Sequence, residues 1–238
     1  MQNYLRAILA SFFFSLTTFA IAQENITTVG IQFRPIVPSE FFGAGNETVQ
    51  AETENVEATF IPKMAYTFGM VIRVGLTDMI SLETGINYVR RNYSIELRDN
   101  DNGFAADMDF RFIGYEIPLQ GLLYVRLGDK IWMNASTGIS FDTYPSDVET
   151  IEFDYRQQTR RDYWGQFSLL ANVGFEYRTD ESGYFYFGGS FHQPFQDIAT
   201  TRVTYKKDGI PVQLFNNLNG TYLTLDFRYF FHEEAERR

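Results

Sequence analysis

Between Lys63 and Leu76 the chain alternates in character. Met64, Tyr66, Phe68, Met70, Ile72, Val74 and Leu76 share one face, and Lys63, Ala65, Thr67, Gly69, Arg73 and Gly75 share the other. A period of two is that of a β-strand with one apolar side. The same rhythm predicts eight strands, over residues 26–37, 59–76, 79–97, 107–127, 130–144, 162–179, 183–196 and 220–232. Their connections alternate in length. Thr77-Asp78, Gly128-Asp129 and Asp180-Glu181-Ser182 are tight polar turns, whereas 38–58, 98–106, 145–161 and 197–219 are longer polar links. That layout predicts an all-β fold: an eight-stranded antiparallel up-and-down transmembrane β-barrel. Short turns and both termini lie in the periplasm, and extended strands and loops lie outside the cell.

The phase of each strand assigns its faces. Val29, Ile31, Phe33, Ile80, Leu82, Ile86, Ile139, Phe167, Val173, Phe175, Phe187, Leu225 and Phe227 fall on the lipid side. The opposite phase carries both signs of charge, and Arg34, Lys63, Arg73, Glu83, Glu116, Arg126, Glu176, Arg178, Asp226 and Arg228 form the predicted lumen charge network. Unpaired buried charge is expensive, so these groups are expected to pair across strands and plug the interior. Eight strands enclose an interior about wide enough for side chains to fill, and open aqueous channels belong to barrels of about 16 strands. A narrow conducting path is the alternative.

Two features of the strands depart from the simple pattern. In the fourth strand Met108, Phe110 and Phe112 hold one phase and Tyr115, Ile117, Leu119, Leu123 and Val125 the other, which implies a bulge near Phe112-Ile113 or a change of environment. Pro118 there removes one ladder donor. Several strands also outrun the roughly 9 to 11 residues that crossing a bilayer requires. The last long link holds a hairpin of its own, with Asp208-Gly209 as its turn. Together these predict a β-rich rim beyond the membrane.

Composition adds location. Arg6, the apolar run from Ala7 to Ile21, and Ala20-Ile21-Ala22 before Gln23 read as a signal peptide over residues 1–22, cleaved near Ala22. The division is then a barrel over 23–232 and a charged tail over 233–238, in the outer membrane. The mature chain has a formal charge near −11 and no cysteine, so nucleic acid is a poor partner and disulfides contribute nothing to stability. The partners expected are outer-membrane lipid, the barrel assembly machinery and an extracellular protein or surface ligand, with the chain a monomer.

The segment Tyr115-Glu116-Ile117-Pro118-Leu119-Gln120-Gly121-Leu122-Leu123-Tyr124-Val125 resembles the "x-E-I-P-L-L-L-K-Y" strand of the Bacteroidetes outer-membrane β-barrel domain family, which includes PorT-like and small "porin family" barrels of OmpA/OmpX-type architecture. The resemblance implies a small outer-membrane barrel and is nearly silent on activity. The chain departs from many such barrels in following Phe231 with His232 and the charged residues 233–238.

Candidate chemistry is sparse. No cofactor and no metal site is expected from two histidines without cysteine; Asp99, Asp101 and Asp107 could gather a cation, but a solvated acidic loop is the favoured reading. Ser190 and His192 share a face of the seventh strand, the spacing a lipid-modifying acyl-transfer enzyme could use, but a polar lumen position explains them as well. The favoured reading is non-catalytic, with a structural or interaction role carried by the outer rim. A small porin, a lipid-active enzyme and, more distantly, an exported lipocalin-like barrel are its rivals.

Overall fold

The computed structural model describes residues 27–38, 45–51 and 55–232, so the predicted signal peptide and charged tail lie outside the described residues. Thirteen strands follow in order: β1 (Thr27–Val37), β2 (Glu47–Gln50), β3 (Val56–Gly75), β4 (Ile80–Asp99), β5 (Phe104–Arg126), β6 (Ile131–Thr143), β7 (Val148–Ile151), β8 (Tyr155–Arg161), β9 (Gly165–Arg178), β10 (Tyr184–Pro194), β11 (Ala199–Lys207), β12 (Ile210–Leu218) and β13 (Tyr222–Phe230). Eight of them pair antiparallel in the cyclic order β1-β13-β10-β9-β6-β5-β4-β3, and β1 closes the ring on β3 from Thr27↔Val74 to Ile36↔Ala65. The protein is therefore an up-and-down eight-stranded barrel. Its three tight turns, β3 to β4, β5 to β6 and β9 to β10, share one end with Thr27 and Phe230.

Outside the ring, Ile31, Phe33, Phe68, Met70, Leu119, Leu123, Val173, Phe175, Phe187 and Phe227 are all exposed. A continuous apolar wall of this extent is untenable in water and is the surface a bilayer covers. Inside, Gly174 and Gly188 make room for one large lumen side chain: a Cβ at either would lie 2.4 or 2.2 Å from the Tyr186 hydroxyl.

The strands that outrun the bilayer build a second structure. The far halves of β3, β4 and β5, with β2 on the edge of β3, face a separate four-stranded sheet ordered β12-β11-β8-β7. Between them lies a dry core: Val56, Ala58 and Phe60 of β3, Tyr93, Ile95 and Leu97 of β4, Met108, Phe110 and Phe112 of β5, and Val203, Tyr205, Val212, Leu214 and Leu218 from the opposing sheet. The link at 145–161, expected to be a loop, contains β7 and β8. The Asp208-Gly209 hairpin belongs to this sandwich and is not barrel wall. Its turn has positive φ at both residues, 51° and 85°, the pairing that a two-residue type I′ connection demands.

How one strand serves both structures differs between β3 and β5. In β3 the pairing with β4 jumps from Lys63↔Asn92 to Tyr66↔Arg90, so one extra residue sits in β3 and the inward phase shifts from even positions in the sandwich half to odd positions in the barrel half. In β5 there is no bulge at Phe112-Ile113. The register with β4 keeps its phase from Phe104↔Asp99 to Ile80↔Leu123, even residues point inward throughout, and only the environment changes. The missing donor at Pro118 falls where the β4–β5 pairing is interrupted, between Thr84↔Leu119 and Asn87↔Glu116. There the Thr84 hydroxyl reaches across and donates to the Pro118 carbonyl at 2.8 Å.

Candidate functional site

The lumen is crossed by charge-assisted hydrogen bonds. Toward the end that carries the tight turns, Arg73 on β3 donates to Glu176 on β9 at 2.6 Å and to Glu83 on β4 at 3.0 Å. Strands β3 and β9 are diametrically opposite in the ring, so this pair spans the full lumen. Arg228 joins Glu83 at 2.5 Å to Asp226 at 2.8 Å, and Arg178 donates to Glu176 at 2.6 Å. Aromatic rings close the gaps: the Arg73 guanidinium lies 3.9 Å from the Phe230 ring centroid, Arg228 lies 4.8 Å from Tyr186, and Arg178 lies 4.6 Å from Trp132.

Toward the outer end a second cluster forms. Arg34 on β1 donates to Glu116 on β5 at 2.8 Å, and Asn87 and the Tyr222 hydroxyl donate to the same carboxylate at 2.7 and 2.8 Å. Tyr222 and Glu116 again sit on opposite strands of the ring. Asp142 on β6 accepts from Ser140 at 2.8 Å and Ser168 at 2.5 Å and lies 2.8 Å from His192 Nε2. Above them Arg91, buried, places its guanidinium 5.1 Å from the Tyr222 ring and 5.9 Å from Tyr144, at the floor of the sandwich core.

The structure thus places eight of the ten residues expected in the network inside the lumen and puts two elsewhere. Lys63, assigned inward by phase, is turned outward by the β3 bulge and pairs with exposed Asp109 at 2.7 Å. Arg126 lies at the end of β5 beside the tight turn, exposed, donating to Asp129 at 3.2 Å and to the Gly128 carbonyl. Phase counting carried two residues too far, past the bulge at Lys63 and to the strand end at Arg126. Sequence reasoning also missed Arg91 and Asp142, although the inward phase that picks Glu83 and Asn87 on β4, and Ser136 and Ser140 on β6, reaches both.

With Arg91 and Asp142 included, five arginines (34, 73, 91, 178 and 228) meet five carboxylates (83, 116, 142, 176 and 226), so their formal charges cancel. Glu116, Asp142 and His192 bring three ligand atoms within 4.8 Å of one another, the donor set of a small metal centre. Their oxygens are already engaged by Arg34, Asn87, Tyr222, Ser140 and Ser168, and a divalent ion would unbalance a neutral interior. Ser190 donates to Asp226 at 2.5 Å and accepts from Asn172 at 2.9 Å, while His192 turns to Asp142. The two side chains that sequence spacing offered as a nucleophile and base are engaged separately.

At the tip of the sandwich Asp99 is held by Lys207 at 3.4 Å and by the Tyr205 hydroxyl at 3.3 Å, and Lys207 also reaches Asp101 at 2.6 Å. Burial raises the Asp99 carboxyl, but the backbone N–H groups of Asp101 and Asn102 together with Lys207 outweigh it and hold it below the usual carboxylate range. Asp99 and Asp101 therefore clamp the β4–β5 hairpin onto β11. Asp107 pairs in register with Glu96 on the outer side of β4 and β5, away from that clamp.

No protein-family model and no characterised protein sequence matches the chain. Among solved structures it is similar to the outer membrane protein OprG from Pseudomonas aeruginosa, at 12% identity and a TM-score of 0.51, over 87% of this chain and 96% of that one. The Escherichia coli outer membrane protease OmpT aligns at 11% identity and a TM-score of 0.44, over 88% and 98% of the two chains. The N-terminal β-barrel domain of Pseudomonas aeruginosa OprF aligns at 12% and 0.35, over 87% and 100%. At these identities the likeness to OprG shows the fold, that of a small outer-membrane barrel.

Proposed function

We propose that this protein is an outer-membrane anchor that displays a folded β-sandwich at the cell surface for interaction, and that its barrel is a closed support and not a conduit. The observation that carries the reading is the second core. A barrel that only spans a bilayer has no use for a dry apolar interior beyond it, yet β3, β4 and β5 continue outward to build one with a separate sheet. The lumen bonds between opposite strands, Arg73 to Glu176 and Tyr222 to Glu116, support the closed reading. The separate engagement of Ser190 and His192 supports a non-enzymatic one. The Tyr115–Val125 resemblance is consistent with a place among the small Bacteroidetes barrels.

Two measurements test this. Planar-bilayer recordings of the purified protein should show no stable current, and long-lived openings from a monomer would contradict a closed lumen. Replacing residues 199–218 with a short Gly/Ser turn should leave a heat-modifiable barrel that has lost its surface partners. Loss of the barrel itself would show that the sandwich is not a separable module.

A further inference from the structure

The outer face of the β12-β11-β8-β7 sheet concentrates positive charge on an acidic chain. Arg160 pairs in register with Thr200, Arg202 with Gln158, and Arg156 with Thr204, while Lys206 lies two residues beyond Thr204 on β11. Arg160, Arg202, Arg156 and Lys206 are therefore successive diagonal neighbours on one face, about 7 to 8 Å apart at the backbone. Three carboxylates lie beside them: Glu149, bound to Arg156; Asp162, which accepts from Thr200 at 2.8 Å; and Asp147, which accepts from the Arg161 N–H at 3.1 Å. Arg202 contacts the Gln158 amide oxygen and Lys206 lies over the Phe153 ring, and among the described residues neither makes an ion pair with an acid. The opposite face of the sandwich is different, since its Lys63 and Arg98 are held by Asp109 and Glu96.

The position of this string matters as much as its charge. Tyr163, Trp164 and Phe195, at the junction of sandwich and barrel, are 52, 66 and 63% exposed and mark the outer membrane interface. Arg160 lies just above that girdle, and Arg156 about 13 Å further out along the same strand. Glu152 and Asp154 lie in the β7–β8 turn and Asp208 in the β11–β12 turn, at the far end of the sheet. Of the string, Arg160 and Arg202 thus lie nearest the headgroup zone, and Lys206 lies at the tip, where its backbone N–H donates to the Asp154 carbonyl at 2.9 Å.

We propose that this face is a docking surface for the phosphate-bearing headgroup of an anionic glycolipid in the outer leaflet, with Arg160 and Arg202 as the principal phosphate ligands and Arg156 and Lys206 as flanking charges. Guanidinium groups offer phosphate two parallel donors, and the spacing of the string lets one headgroup carrying two phosphates meet two of them at once. The assignment rests on the outer-membrane placement above.

The test uses the full-length protein in neutral detergent, with heat-modifiable migration reporting on the barrel separately. Diphosphoryl lipid A should bind, and dephosphorylated lipid A at least about tenfold more weakly. An R160E/R202E variant should show the same loss while an R98E/R111E variant on the opposite face binds normally. Equal binding of the two lipids, or an unchanged affinity in R160E/R202E, would overturn the proposal. So would full competition by inorganic phosphate, which would point to a free-phosphate site, or by a soluble sulfated polysaccharide, which would point to a soluble polyanion. Should R160E/R202E lose the heat-modifiable barrel, the two-lipid comparison on the unaltered protein decides alone.

Discussion

The barrel and the sandwich are made from the same strands and have opposite interiors. Along β5 the even residues point inward from one end to the other. Within the sandwich they are Met108, Phe110 and Phe112; within the barrel they include Glu116 and Gln120, and the apolar side chains move to the outward positions Ile117, Leu119 and Leu123. In water the driving force for burial puts apolar groups inside. In a bilayer the lipid supplies an apolar surround, so the inside is free to be polar provided every charge finds a partner. The direction a strand residue faces is set by backbone phase, and what that position must be is set by the solvent on the other side of the wall.

The lumen should show the largest effect of a single substitution. Glu116→Ala strands the buried guanidinium of Arg34, and removing one partner of such a pair costs about 3 to 5 kcal/mol; the heat-modifiability transition should fall sharply. The double change Arg34→Met with Glu116→Leu should recover most of that loss. A single variant as stable as the unaltered protein would show that the lumen is wet and the charges solvated.

In the sandwich the equivalent injury is a cavity. Phe112, fully buried against Tyr144 at 5.4 Å between ring centroids, should cost about 3 to 5 kcal/mol when changed to Ala. The damage should stay local, so that proteolysis nicks β7 to β8 and β11 to β12 while the barrel still migrates as folded. Coupled loss of both would show one cooperative unit in place of two.

On the lipid face, Met70→Arg should cost about 2 to 4 kcal/mol at midplane depth and lower the yield of assembled barrel. The smallest effect should come at Lys63. Its exposed pair with Asp109 is of the kind worth about 0 to 1 kcal/mol, so Lys63→Ala should leave the thermal transition nearly unchanged. A large loss there would return Lys63 to the lumen and contradict the β3 bulge.

Most of the barrel was legible in the sequence because lipid on one side and a polar interior on the other enforce a strict two-residue period, as in β9 and β13. The sandwich was half legible. Excess strand length and the Asp208-Gly209 turn announced β-structure beyond the membrane, but β8 reads Tyr-Arg-Gln-Gln-Thr-Arg-Arg and buries Gln157 and Thr159, a polar core layer without hydrophobic alternation. The Thr159 and Thr201 hydroxyls satisfy each other at 2.8 Å, a long-range pairing that no local pattern reveals. The β3 bulge was hidden for the same reason, since the residues on both sides of it alternate well and only the partner strand shows the extra one. The candidate network failed at Lys63 and Arg126, where phase was carried past a bulge and past a strand end.

The inward phase of β5 is continuous while its surroundings invert, and the absence of cysteine makes a single-cysteine scan of that strand unambiguous. Cysteines placed singly at Asp107, Asp109, Arg111, Ile117, Leu119 and Leu123 in the assembled protein should divide in two. The first three should react with a membrane-impermeant maleimide, and the last three should resist it and, once labelled during unfolding and reassembled, be quenched by lipid-phase spin labels. Aqueous labelling at Ile117 and Leu119, or lipid quenching at Asp107 and Asp109, would contradict the inversion.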